Sequence, residues 1–219
     1  MVSSPTPRKF GVLGSGDVGQ ALAKGLATKG HEVLIGTRSP GKLAKFSKST
    51  GIREANFQEV AAWAEAVVLA VLGEAALEAI MLAGPANLRG KLVIDTTNPI
   101  SKEAPEDGVL RYFTGPNDSL MERLQAVYPQ IAFVKAFNSV GSGLMVHPML
   151  AGGPPTMFYC GNDAGAKAVV AHLLEQFGWE PADMGGVTAA RALEPLAQLW
   201  CIPGFRDNDW VHAFRLLRP

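Results

Sequence analysis

Two cysteines in 219 residues, Cys160 and Cys201, are too few for a disulfide framework, and both read as small apolar packing residues. The four histidines, His31, His147, His172 and His212, show no ligand spacing, so no zinc or iron site is predicted. Net charge is absent, with 20 Lys and Arg against 20 Asp and Glu, and nothing indicates a nucleic-acid or anionic-membrane surface. The longest apolar stretch, Ala61–Leu82, carries Glu65, Glu74 and Glu78 and is broken by Gly73. It reads as helix, strand and helix, not as a membrane span. The polar segment Met1–Lys9 and the short apolar run after it do not form a signal peptide, so a cytoplasmic chain is expected. No nucleophile elbow, triad order or P-loop occurs.

What is present begins at Lys9. The apolar run Phe10-Gly11-Val12-Leu13 enters a turn, Gly14-Ser15-Gly16-Asp17-Val18-Gly19. A helical pattern follows with Ala21, Leu22, Gly25 and Leu26 on one face; Gly30 stops it, and Val33-Leu34-Ile35 opens a second strand. Strand, glycine turn, helix and strand in one short unit is the context a dinucleotide fingerprint requires. Gly14 serves the tight turn, Gly16 the approach of a pyrophosphate, and Gly19 the close packing of helix on strand. The helix N-terminus then offers unpaired N–H groups to the phosphates.

The end of the second strand selects the dinucleotide. NAD sites carry a carboxylate there for the ribose 2′-hydroxyl. Here the residues are Gly36-Thr37-Arg38-Ser39, with Lys42 one turn on. Arg38 can fork to a 2′-phosphate, Thr37 and Ser39 can donate hydroxyl hydrogen bonds, and Lys42 adds a charge. The cofactor reading is NADP(H).

Further along, helices are expected over Pro40–Thr50, Phe57–Glu65, Glu74–Leu82 and Ser119–Tyr128. Strands are expected over Ile52–Ala55, Ala66–Val71, Leu92–Asp95 and Ile131–Phe137. Ser101–Pro116, rich in Pro, Gly and charge, reads as a loop or mobile flap. Beyond Gly141–Leu150, a short helix and loop, come a strand over Met157–Cys160, a helix over Ala164–Phe177 and an extended stretch over Trp179–Met184. A helix over Ala189–Trp200 and a second helical stretch over Trp210–Leu217 close the chain. This alternation predicts a Rossmann-type α/β fold: a doubly wound, mostly parallel sheet. The expected division is a dinucleotide-binding domain over residues 1–140 and a small α/β extension over 141–219, packed on the same sheet.

Ligands of such sheets bind at the carboxyl ends of the strands. Those ends gather Gly14–Gly16, Thr37 and Arg38, then Ala70, Val71 and Leu72, then Asn98 and Pro99, and last Ala136, Phe137 and Asn138. Asn138 either orients a ring by its amide, making it the candidate catalytic residue, or caps a turn. Lys135, inside an apolar strand, reads as a structural ion pair or edge residue, with an active-site role as the alternative. His147 lies near the crevice in this reading, where packing or surface exposure is favoured over catalysis.

Gly-Ser-Gly-Asp-Val-Gly at 14–19, Gly36-Thr37-Arg38, Asp95 to Pro99, Lys135-Ala136-Phe137-Asn138 and Cys160-Gly161-Asn162-Asp163 together resemble the coenzyme F420-dependent NADP oxidoreductase family. That family is related to the NADPH-binding domain of the STEAP metalloreductases. Asp183-Met184-Gly185 and Ala190-Arg191-Ala192-Leu193-Glu194 extend the likeness to about Leu217. The resemblance implies hydride transfer between NADP(H) and a stacked deazaflavin (F420) or flavin (FMN or FAD), often in a homodimer. It implies that Ser15–Gly19 hold the pyrophosphate, Thr37, Arg38 and Lys42 the 2′-phosphate, that Ala70–Leu72 border the nicotinamide ribose, and that Asn138 faces the reacting rings. F420-dependent members often carry proline and an aromatic after the strand ending at Val71; Leu72-Gly73 stand there instead. Two other readings compete. One is a nonenzymatic NADP(H)-sensing module. The other is a β-hydroxyacid or pyrroline-carboxylate type reductase, whose long helical domain finds no counterpart after Asn138. The aromatics Trp200, Phe205, Trp210 and Phe214, with Ile202, form either a dimer interface or a cover for their own subunit.

Overall fold

Val67, Leu69, Val93 and Phe133 are fully buried among runs that are apolar on both faces, and such runs are stable only in a sheet covered on both sides. The computed structural model, which describes residues 8–219, forms that sheet from β1 (Lys9–Leu13), β2 (Glu32–Gly36), β3 (Arg53–Ala55), β4 (Ala66–Leu69), β5 (Leu92–Asp95), β6 (Ala132–Lys135), β7 (Thr156–Gly161) and β8 (Glu180–Asp183). Most of Met1–Lys9, read as a polar tail, lies outside the described residues. The strand order is β3-β2-β1-β4-β5-β6-β7-β8. The first six strands run parallel; β7 is antiparallel to β6, and β8 is parallel to β7. This is the expected Rossmann-type α/β fold. Its direction of winding reverses between β1 and β4, which opens a crevice at the carboxyl ends of the strands.

Helices α1 (Asp17–Thr28), α2 (Ala44–Thr50) and α7 (Ala164–Gln176) cover one face through Leu22, Leu26, Phe46 and Leu173. The other face lies beneath α3 (Phe57–Trp63), α4 (Ala76–Ala83), α5 (Pro85–Leu88), α6 (Leu120–Val127) and the start of α8 (Ala190–Asp207), through Val60, Ile80, Leu88, Leu124 and Leu193. Asn56 and Glu59 close a capping box at the start of α3, and Ser119 caps α6 through the Glu122 N–H.

Several elements depart from the sequence reading. β4 stops at Leu69: Ala70 N–H still donates to Leu13 O (2.9 Å), and the chain bends at Val71. α2 starts only at Ala44, because Glu54 on β3 draws the preceding turn to itself, accepting from Gly41 N (2.5 Å) and Leu43 N (2.7 Å). The segment expected to be a flap is fastened to α8: Tyr112 Oη donates to Glu194 O (2.8 Å) and Gln198 Nε2 to Leu110 O (2.7 Å). No helix covers Trp210–Leu217. Asn208 adopts a left-handed conformation (φ 55°) that ends α8, and the chain then runs beside β7, where Thr156 N donates to Phe214 O (2.9 Å). Trp210 lies over Gly204, and Trp200 stacks on His212 at 5.1 Å, so the aromatic spacing serves packing on α8. α8 in turn continues past Trp200 to Asp207 with Pro195 and Pro203 inside it. The Trp200 carbonyl beside the second proline pairs with His212 Nε2 (2.9 Å).

Candidate functional site

The glycine turn leaves the backbone open at the rim of β1. Gly14 holds φ 134°, and a Cβ there would lie 2.0 Å from Ala70 O, so both conformation and the β4 rim require glycine. A Cβ on Gly16 would meet nothing within 4 Å; the space above it is free for a ligand. α1 starts there with no side-chain cap, and its first N–H groups face the crevice mouth. Gln20 Nε2 donates to Ser15 O (3.0 Å) and braces the turn, a contact with no local sequence signal. Ser15 and Val18 are half-buried, Asp17 is exposed, and Gly19 is buried against the Gly14 carbonyl. A phosphate pair fits this cradle through backbone N–H donors.

At the end of β2, Thr37 is buried, and its hydroxyl accepts from Ser39 N (3.1 Å). Ser39 and Lys42 are exposed in the same turn. The Arg38 side chain is 61% exposed and pairs with Glu78 of α4 at 3.3 Å, a partner the sequence reading missed because α4 approaches from across the sheet. Arg38, Thr37, Pro40, Asn56 and Phe57 line a cleft of about 660 Å³. Its size suits an adenosine; among the described residues Arg38 is its one cation, and Glu54 and Glu59 also line it. A second cavity of about 390 Å³ lies at the opposite rim, among Gly90, Gln125, Gln130 and Asn162.

Across the crevice the floor is neutral. Leu72 is 80% exposed. Val71 is half-buried and Ala70 buried; Pro99 and Ala136 are buried, and Asn98 is half-buried. Gly73 earns its place here: a Cβ would lie 2.0 Å from Asn98 O, so a side chain would push the β5 loop away. Asn98 and Asn138 clasp each other, with Asn98 Nδ2 donating to Asn138 O (2.7 Å) and Asn138 Nδ2 donating to Asn98 Oδ1 (3.0 Å). Asn138 Nδ2 also donates to Leu193 O on α8 (2.8 Å), and the residue is only 6% exposed. Both of its amide hydrogens are therefore used inside the protein. Phe137, just before it, is buried at φ 62°, an unusual conformation for an aromatic residue at the rim of a candidate site.

The ionisable groups lie beneath this floor. Lys135 is fully buried, with Nζ 2.9 Å from Asp95 Oδ2 and 3.0 Å from Glu194 Oε1, and it donates to Thr97 O (2.7 Å). Burial works to lower its pKa, but the two carboxylates outweigh it and hold the ammonium above its ordinary value. Asp95 Oδ1 accepts from Thr97 N (2.9 Å) and Thr97 Oγ1 (2.6 Å). Glu194 accepts from Leu120 N and Met121 N (both 3.0 Å), the first N–H groups of α6. The structural ion pair is thus the observed state of Lys135, and its partners come from β5 and from the C-terminal helix. Nearby Cys160 is buried, and burial pushes its thiol up to about 12, which leaves it unreactive. His147 is exposed against the end of α7, where its N–H donates to Phe177 O (2.8 Å), and the Asn98–Asn138 clasp does not include it. Among the described residues no group of three or more His, Cys, Asp and Glu could hold a metal ion, and no helix is long and apolar enough to cross a membrane.

Known proteins resemble this chain in sequence and fold. A family model described as NADP oxidoreductase, coenzyme F420-dependent, matches residues 9–99. The crystal structure of a candidate F420-dependent NADP reductase from Arthrobacter sp. FB24 is 37% identical and superposes with a TM-score of 0.89, covering 95% of this chain and 99% of that one. The rat metalloreductase STEAP3 is 32% identical over 201 residues, which is 89% of this chain and 38% of the relative. The chain thus spans little more than a third of the curated relatives it matches. An imine reductase from Myxococcus stipitatus in complex with NADP⁺ is 19% identical with a TM-score of 0.66, over 88% of this chain and 61% of that one, and shares the fold.

Proposed function

Since the chain belongs to the F420-dependent NADP oxidoreductase family and is an NADP-dependent oxidoreductase, we propose that it transfers a hydride between NADP(H) and a planar acceptor, F420 or a flavin. The observation that carries this reading is the division of the crevice. Its floor presents Leu72 and Asn98, with Pro99 buried, all of them neutral, while Asp95, Lys135 and Glu194 are sealed beneath it. Among the described residues, these three side chains can orient two rings but exchange no proton with the substrate. Direct hydride transfer to a ring that takes its proton from solvent fits this inventory.

Bound NADPH supplies the hydride. The protein holds the phosphates on the open backbone at Gly14–Gly19, fixes the 2′-phosphate at Arg38, and keeps Leu72 as a wall. Orientation of this kind can remove about 7–11 kcal/mol of barrier relative to free encounter. Arg38 exchanges Glu78 for the phosphate when the nucleotide binds, a swap between two exposed partners at little cost. The acceptor is tested by mixing the protein with NADPH and F420, FMN, FAD or a quinone in turn and following absorbance. Rapid reduction of F420 or a flavin is expected. NADPH binding with no acceptor reduced would instead favour a nucleotide-sensing role. A homodimer in the cytoplasm, the assembly and location expected from sequence, belongs to the same proposal.

A further inference from the structure

Asn98 and Asn138 carry the same amide, but the structure leaves them in different states. Each primary amide has two N–H donors and two acceptor lone pairs. Leu193 O and Asn138 O can only accept, so the atoms facing them are amide nitrogens, and both side-chain orientations are fixed. Asn138 Nδ2 uses one hydrogen on Asn98 Oδ1 and the other on Leu193 O. Asn98 Nδ2 uses one hydrogen on Asn138 O. Asn98, half-buried where the chain leaves β5, is thereby left with one N–H and one lone pair without a further partner among the described residues.

The place suits a nicotinamide. In the strand order β2-β1-β4-β5, Arg38 ends β2, the glycine cradle ends β1, and Asn98 follows β5. Three strand spacings, about 14 Å, separate the first from the last. A dinucleotide held by its 2′-phosphate and its pyrophosphate at the first two stations lays its other nucleoside over β4 and β5. The carboxamide on that ring can accept from the free N–H of Asn98 or donate to its free lone pair.

We infer that Asn98 pairs with the nicotinamide carboxamide and sets the angle of the ring, and that Asn138 is a positioning residue that holds Asn98 from behind. This replaces the sequence reading, in which Asn138 faced the rings. The backing of Asn98 is stiff. Its carbonyl abuts Gly73 and accepts from Ile100 N (2.9 Å), and the preceding Thr97 is held by Asp95 and Lys135. The C-terminal helix contacts this clasp through Leu193 O, and its Glu194 pairs with Lys135 on β6, the strand that leads to Asn138.

The inference rests on the NADP(H) reading, and its test separates the two. NADPH and adenosine 2′,5′-bisphosphate, which lacks the nicotinamide half, are titrated into the wild type and Asn98→Ala. One hydrogen bond to a ligand is worth up to about tenfold in affinity. Asn98→Ala is expected to weaken NADPH about tenfold and to leave the bisphosphate within about twofold. Asn138→Ala is expected to weaken NADPH in the wild-type background but to add nothing in the Asn98→Ala background. A residue with only a structural role would add its own loss in both. Equal loss of both ligands in Asn98→Ala, or unchanged NADPH affinity, overturns the assignment of Asn98. Failure of the bisphosphate to bind the wild type overturns the cofactor reading itself. If Asn138→Ala folds poorly, the partly exposed Asn98→Ala still decides the matter.

Discussion

Replacing Lys135 by methionine removes the one cation between two buried carboxylates. In the wild type, Nζ is within 3.0 Å of Asp95 and Glu194, and the Lys135 and Asp95 side chains are fully buried. Methionine keeps most of the volume but leaves both carboxylates uncompensated and the Thr97 carbonyl without its donor. Breaking a buried pair in this way costs about 3–5 kcal/mol, a large fraction of a typical stability of about 5–15 kcal/mol. For a chain of this size that lowers the Tm by about 6–20 °C. Urea unfolding at pH 7 measures it directly, provided the m-value is unchanged. The cause is charge rather than packing, so adding Asp95→Asn and Glu194→Gln to Lys135→Met should recover part of the loss. A single variant that loses under about 1 kcal/mol, or a triple variant no better than the single, refutes the reasoning.

Arg38→Ala should weaken NADPH about tenfold to a hundredfold and leave NADH nearly unchanged, as read by titration of each cofactor, because one charge-assisted contact to the 2′-phosphate is lost. Glu122 of α6 accepts the single Arg191 Nε–H, shared between its two oxygens, and one N–H of Nη2, and Arg191 holds its carboxyl below the usual 4.5. Because the folded-state value is depressed, this stabilisation is complete above pH 4.5 and is lost as the pH falls below it. Urea midpoints between pH 3 and 6 should therefore fall less steeply in Glu122→Gln. An identical slope in the two proteins would show that the pair does not link α6 to α8 energetically. Lys135, held above its ordinary 10.5, behaves in the opposite sense: its contribution is intact below pH 10.5 and fades as alkaline pH passes the raised value.

The alternation of strands and helices was legible because parallel strands need apolar faces on both sides, and glycines punctuate them. Gly14 to Gly19 and Thr37-Arg38 carried their meaning locally, in one βαβ unit. The floor of the crevice did not. Asp95, Lys135 and Glu194 meet only after β5, β6 and α8 pack together, and Lys135 alone betrayed the triad by being a lysine in an apolar strand. The sequence singled out Asn138 as facing the rings, because the Leu193 carbonyl that takes the last of its amide hydrogens comes from distant α8. The tail misled for a related reason. Trp210, Phe214 and Leu217 keep a helical spacing, but the backbone pairs instead with Thr156 and the rings pack on α8.

The central claim is direct transfer of hydride between two rings held on a neutral floor. NADPH deuterated at C4 on one face, and then on the other, with F420 as acceptor, tests it most directly. The expected result is deuterium retained in the reduced deazaflavin from one face only. Complete loss of the label to solvent from both faces, with F420 reduced, would contradict it.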